Sequence, residues 1–139
     1  MQDRLTITLL SHRSELERLS ELVEEFGARH DLPPKVLFAL NLALEEILVN
    51  VIAHGYQGSA DHQIIVRLAL DDGEVRAEVE DDARPFNPLE APEPDLSKPL
   101  EERPIGGLGI HLTRKMMDGL VYRRQGDKNL LVMRKKVVA

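Results

Sequence analysis

No cysteine occurs in the chain, so a disulfide framework, a thiolate metal site and a thiol nucleophile are all excluded, and the composition suits a reducing compartment. Tryptophan is absent too and aromatics make up only 4%, so a core has to be built from Leu, Val, Ile and Ala. Positive charge is not in excess: 18 Lys and Arg stand against 24 Asp and Glu, a net charge of −6. That balance repels phosphate backbones and anionic lipid unless a local basic patch overrides it. The nearest such patch is the short run from Arg134 to Lys136, so neither nucleic acid nor a membrane is an expected partner. No apolar run reaches the length of a membrane span, and Met1 to Arg4 lead into a strand pattern rather than a secretory signal. A soluble, cytoplasmic protein is the expectation. What is present is 139 residues, 42% hydrophobic and 30% charged, which fits one domain over residues 1–139 and is far from the composition of a disordered chain.

Leu5, Ile7 and Leu9 alternate with polar or β-branched neighbours and predict a half-buried strand. Ser14 followed by Glu17 makes a capping box, after which Leu16, Leu19, Leu22, Val23 and Phe26 recur at helical spacing to about His30. Leu32, Pro33 and Pro34 end that helix, and Pro34 suits the first turn of a second one running to about His54, with Val36, Leu40, Leu44, Ile47, Leu48 and Val51 on its buried face. Ile64 to Leu70 and Val75 to Val79 alternate around Asp71, Asp72 and Gly73, which predicts a hairpin. The segment 85–105 carries Pro85, Pro88, Pro92, Pro94, Pro99 and Pro104, so it reads as a long loop, a lid or binding segment. A third helix follows Gly109, and a last hairpin pairs Leu120 to Arg124 with Asn129 to Val137. With too few crossovers for a doubly wound sheet, this order predicts an α/β (α+β) two-layer sandwich, helices on one face of a mixed, mostly antiparallel sheet.

Three polar constellations interrupt these patterns. Glu45, Glu46 and Asn50 lie within NLALEEILVNVIAHGY. Glu46 and Asn50 share a helical face, and His54 lies one turn further on. A carboxylate and an amide so placed supply a base and an oxygen ligand for a hard cation such as Mg²⁺; a solvated polar face is the plainer account of the same residues. In EDDARPFNP a strand runs into Asp81, and a carboxylate at a strand end can accept a hydrogen bond from an exocyclic amine beside an apolar wall. An acidic turn is the alternative. GGLGIHL opens a helix, where glycines let the backbone approach an anion and the helix N-terminus supplies unpaired N–H groups; a hinge is the alternative. It is neither the dinucleotide nor the Walker pattern.

Taken in order, the Glu46 and Asn50 helix, the Asp81 box, the proline-rich segment and the glycine box resemble the Bergerat fold of the GHKL-type ATPase and kinase superfamily. Within it, nearly the whole chain resembles the anti-sigma-factor serine/threonine kinases of bacterial partner-switching systems. The resemblance implies an ATP-binding domain with an ATP lid at about 85–105, ATP and Mg²⁺ as cofactors, a sigma factor and a STAS-type antagonist as partners, and a homodimer. It assigns Glu46 as the base toward a seryl or threonyl hydroxyl, Asn50 as the Mg²⁺ ligand and Asp81 as the acceptor for the adenine amino group. Ala83 and Phe86 fall beside the base. Gly106, Gly107, Leu108, Gly109 and Ile110 face the phosphates, with His54 and a lid arginine, Arg84 or Arg103, within reach of them. His111, in the first turn of the third helix, reads as packing. Ala83 departs from the family's usual glycine: if the position needs a positive φ, alanine costs roughly 1 kcal/mol. Two other readings stand beside the kinase: a nucleotide-gated module that sequesters a partner without phosphoryl transfer, and an interaction protein without nucleotide.

Overall fold

The computed structural model describes residues 4–55, 62–85, 87 and 113–137. Strand β1 (Arg4–Leu10) leads into helices α1 (Glu15–Arg29) and α2 (Pro34–Asn50), and α2 continues as a π-helical turn, Val51–Gly55. Strands β2 (Gln63–Asp71), β3 (Glu74–Asp81), β4 (Gly119–Gln125) and β5 (Lys128–Lys136) complete a five-stranded sheet in the order β1-β2-β3-β5-β4. Each neighbouring pair is antiparallel, so the sheet, expected to be mixed and mostly antiparallel, has no parallel pairing among the described residues. The α/β layering is otherwise as the patterning implies.

Alternation on the strands decides which face is covered. Ile7 and Leu9, Ile64, Val66 and Leu68, Val75, Ala77 and Val79, and Leu131 and Met133 are buried on one side of the sheet. They meet Leu19, Val23 and Phe26 of α1 and Leu40, Leu44 and Leu48 of α2, and each such side chain contributes roughly 1.5–3 kcal/mol by leaving water. Helix α2 is apolar on more than one side: the stretch Pro34–Ala53 has a mean hydropathy of 1.9 over its most apolar window, half of it buried. By length and composition alone it would pass for a bilayer-crossing helix, as the core helix of a globular domain does; here it covers the sheet together with α1.

The capping box does not form. Ser14 takes helical backbone angles, φ −61° and ψ −22°, and its side chain makes no cap hydrogen bond, because the hydroxyl reaches the first-turn amides only from an extended residue. At the other end of α1, Leu32 N–H donates to Gly27 O at 2.9 Å and Asp31 N–H to Ala28 O at 3.3 Å, with Asp31 left-handed at φ 53°. That is a Schellman ending with aspartate in the place glycine usually takes. The turn between β2 and β3 has positive φ at both Asp72 (50°) and Gly73 (73°), the combination that matches the twist of a two-residue hairpin.

Candidate functional site

The end of α2 and the end of β3 carry the polar residues that the sequence singles out. Asn50 is the last α-helical residue of α2 and is buried, at 6% exposure, which removes the reading of a surface amide. Its Nδ2 donates to the Glu46 carbonyl at 2.7 Å, so the amide is turned along its own helix and Oδ1 is the atom left to face a ligand. Glu45 is exposed and Glu46 half-buried. Burial first, and the neighbouring Glu45 charge second, push the Glu46 carboxyl above the ordinary carboxylate range. The π-helical turn begins directly after Asn50, and such turns recur at functional sites because they re-aim the residues that follow. His54 lies within it, so the simple helical spacing behind its assignment to the Asn50 face does not continue that far; its side chain lies outside the described residues.

Asp81 ends β3 and is buried, at 4% exposure, so it is not part of an exposed acidic turn; Asp82 beside it is exposed. Asp81 Oδ1 accepts from Ala83 N–H at 2.9 Å and from Asn129 Nδ2 at 2.9 Å. Burial is the main influence on the Asp81 carboxyl and raises its proton affinity; the Asn129 and Ala83 donors oppose that rise, Asp82 adds to it and Arg124 opposes it. Ala83 is buried and its φ is not positive, so alanine carries no left-handed strain where the family has glycine. Its N–H closes a turn onto Asp81, and its carbonyl accepts from Arg124 Nη1 at 2.8 Å. Arg84 is exposed.

Asn129, Tyr122 and Arg124 belong to this site although none was singled out from the sequence. Asn129 sits opposite Asp81 in the β3 and β5 register and Arg124 opposite Asn129 in the β4 and β5 register. The Asn129 Nδ2 also donates to the carbonyls of Ala83 (3.2 Å) and Arg84 (3.0 Å), while its Oδ1 accepts a short hydrogen bond from the Tyr122 hydroxyl. A polar residue at an inward strand position was the available signal; the pairing of β3 with a strand almost fifty residues away hid it.

A narrow crevice between α2 and the sheet brings Asn50, Asp81, Tyr122 and Asn129 together, while Glu46 is not among the residues that line it. It is lined by the apolar side chains of Ile47, Val51, Val79 and Leu131 and by Asn50, Asp81, Tyr122 and Asn129, with apolar and polar groups coming from both the helix and the sheet. Asp81 also borders a polar recess with His62, Glu80, Asp82 and Lys128, where His62 Nδ1 stands 3.4 Å from Asp82 Oδ1. Phe86, Arg103, Gly106 to Ile110 and His111 lie outside the described residues, as does nearly all of the segment 85–105. Directly after the glycine box, Thr113 is buried and its Oγ1 has no hydrogen-bond partner among the described residues. Among those residues no three His, Asp or Glu side chains converge on a metal-ligand group.

Residues 11–135 match the histidine kinase-like ATPase domain family. The chain is 27% identical over 111 residues to a serine/threonine-protein kinase, BtrW, of Bordetella bronchiseptica, covering 80% of this chain and 78% of that one. It is 31% identical over 121 residues to an anti-sigma F factor of Clostridium botulinum, covering 82% and 80%. A structure of the RsbU and RsbW domains of a Mycobacterium tuberculosis protein superposes with a TM-score of 0.72 at 18% identity; it takes in 98% of this chain, which spans 33% of that longer one. The chain therefore belongs to the histidine kinase-like ATPase domain family, among its anti-sigma-factor serine/threonine kinases.

Proposed function

We propose that this protein is a cytoplasmic Mg²⁺-ATP-dependent serine/threonine kinase and anti-sigma factor, a homodimer that regulates transcription by exchanging a sigma factor for a STAS-type antagonist that it phosphorylates. The observation that carries the reading is that Asn50 and Asp81, taken from separate stretches of sequence, line one crevice together with the apolar side chains of Ile47, Val51, Val79 and Leu131. The donor set suits the group. Asp81 offers an acceptor to an adenine amine beside those apolar side chains, and Asn50 Oδ1 is a hard oxygen of the kind Mg²⁺ takes when phosphates and water supply its other ligands. When bound, Mg²⁺ would neutralise charge on the phosphates. Gly106, Gly107, Leu108, Gly109 and Ile110 are assigned to the phosphates, with His54 and Arg103 nearby and Phe86 beside the base.

In this reading Glu46 accepts the proton of the partner's hydroxyl as that oxygen bonds to the γ-phosphorus and the bond to the ADP oxygen breaks. A carboxylate whose proton affinity is raised by burial and by Glu45 is a better base near neutral pH than an exposed one. The relative from Bordetella bears a kinase's name, which supports transfer as well as binding. The binding-only alternative leaned on Ala83, and Ala83 has no positive φ to strain.

The test is Glu46→Ala with labelled ATP and the cognate antagonist. Nucleotide binding should be kept and transfer should fall by about 10² or more. In the wild type, transfer should decline on the acid side at a pH above the ordinary carboxylate range. Undiminished transfer by Glu46→Ala would overturn the assigned role.

A further inference from the structure

The hydrogen-bond chain behind Asp81 runs in one direction only. The Tyr122 hydroxyl donates to Asn129 Oδ1, so that face of the amide is the carbonyl face, and Nδ2 is turned toward Asp81 Oδ1 and the carbonyls of Ala83 and Arg84. An amide rotated by half a turn would set its oxygen against three acceptors and its NH₂ against a hydroxyl hydrogen, so the observed orientation is the one that satisfies the neighbours. Both donors that reach Asp81, Asn129 Nδ2 and Ala83 N–H, end on Oδ1. Asp81 Oδ2 has no hydrogen bond among the described residues, and Asp81, Asn129 and Tyr122 all line the crevice.

We infer that Tyr122 and Asn129 are positioning residues that make the crevice select a 6-amino purine over a 6-oxo purine, by holding Asp81 as an acceptor whose one unengaged oxygen meets the ligand. The inference rests on the reading of the crevice as a purine nucleotide site. A 6-amino group donates to that oxygen, whereas a 6-oxo group confronts it with a second acceptor, and a buried mismatch of this kind costs more than a missing contact. The arrangement depends on the carboxylate staying ionised. The Asn129 and Ala83 donors favour the ionised form against the burial that disfavours it. With Tyr122 gone, Asn129 Oδ1 loses its donor and the amide is held less firmly against Asp81; an Asp81 carboxyl that then takes up a proton donates to a 6-oxo group.

Calorimetric titration of the full chain with ADP and with inosine diphosphate, in excess Mg²⁺, tests this in the wild type, Tyr122→Phe and the near-isosteric Asn129→Asp. The wild type should prefer ADP. In Tyr122→Phe the ratio of the two affinities should drop by about tenfold, the worth of one hydrogen bond at the upper end of its range, and in Asn129→Asp it should approach one. A purely structural role would lower the thermal midpoint and weaken both nucleotides alike, leaving the ratio unchanged in both variants; that result overturns the inference while the nucleotide site stands. A wild type that binds neither nucleotide overturns the site itself and the inference with it.

Discussion

At the residue scale, the site's two shifted carboxylates oppose the stability of the fold that carries them. Burial raises both Asp81 and Glu46 above their ordinary values, so between the unfolded and the folded pKa the native state holds a proton that the unfolded chain has already lost. Stability from these groups is full below about pH 4 and declines as pH rises through the folded values. Asp81→Asn keeps an acceptor for Ala83 N–H and Asn129 Nδ2 but removes the buried charge. It should therefore raise the unliganded thermal midpoint at pH 7 by roughly 4 °C, about 1 kcal/mol for a domain of this size, with the gain shrinking toward pH 4; melting curves across that range check it, and a lower midpoint at pH 7 would contradict it. Where the candidate residues lie was legible from local pattern: Glu46 and Asn50 share a helix, and Asp81 ends a clear strand. Asn129 and Tyr122 were not, since an asparagine and a tyrosine on a terminal hairpin acquire their role only when β5 pairs with β3.

At the element scale, β1 and β4 are the edges of the sheet, and α1 covers part of the β1 edge. Ser11 N–H donates inward to His62 O, so by alternation the backbone of Leu10 and Thr8 points outward. There Leu10 N–H donates to Glu15 Oε1 at 3.1 Å and Thr8 O accepts from Arg18 Nη1 at 3.0 Å, and the two side chains pair at 3.4 Å. An unpaired edge is a template for association with another chain, and charged groups over it are a common protection. The Leu10 N–H bond, chiefly, and Arg18 hold the Glu15 carboxyl below its usual range, so its contribution is present above about pH 4 and lost as pH falls through the lowered value. With Arg18 exposed and Glu15 half-buried at the surface, this amounts to a few tenths of a kcal/mol, on the order of other surface pairs. The double variant Glu15→Ala, Arg18→Ala should lose little stability but self-associate more at high concentration in sedimentation velocity, and an unchanged distribution would remove the protective role. These contacts also show why the elements were legible and the first cap was not. Alternation and helical spacing in β1 and α1 report burial directly, whereas Ser14 followed by Glu17 satisfies a pattern that the backbone at Ser14 does not adopt, the first turn being tied to β1 through Glu15 instead.

At the scale of the whole molecule, a nucleotide is an anion approaching a chain of net charge −6, so the Mg²⁺ complex should bind better than the free nucleotide. With Asn50 as the one protein ligand assigned to the ion, Mg²⁺ alone should do little. A ligand that binds only the folded state at a hundredfold excess over Kd adds about 2.7 kcal/mol, which for a chain of this length raises the melting midpoint by roughly 5–10 °C. The expected order is no shift with Mg²⁺, a partial shift with ADP and the full shift with both. Asp81→Asn separates this linkage from ordinary stabilisation. Its unliganded midpoint should lie above the wild type's, because a buried charge has gone, while its response to Mg²⁺ and ADP should largely vanish, because the acceptor for the base now carries an NH₂ on the crevice side. The two proteins should then exchange rank when nucleotide is added. If Asp81→Asn keeps the full shift, the base does not lie against Asp81, and the crevice between α2 and the sheet would have to take the nucleotide in some other orientation.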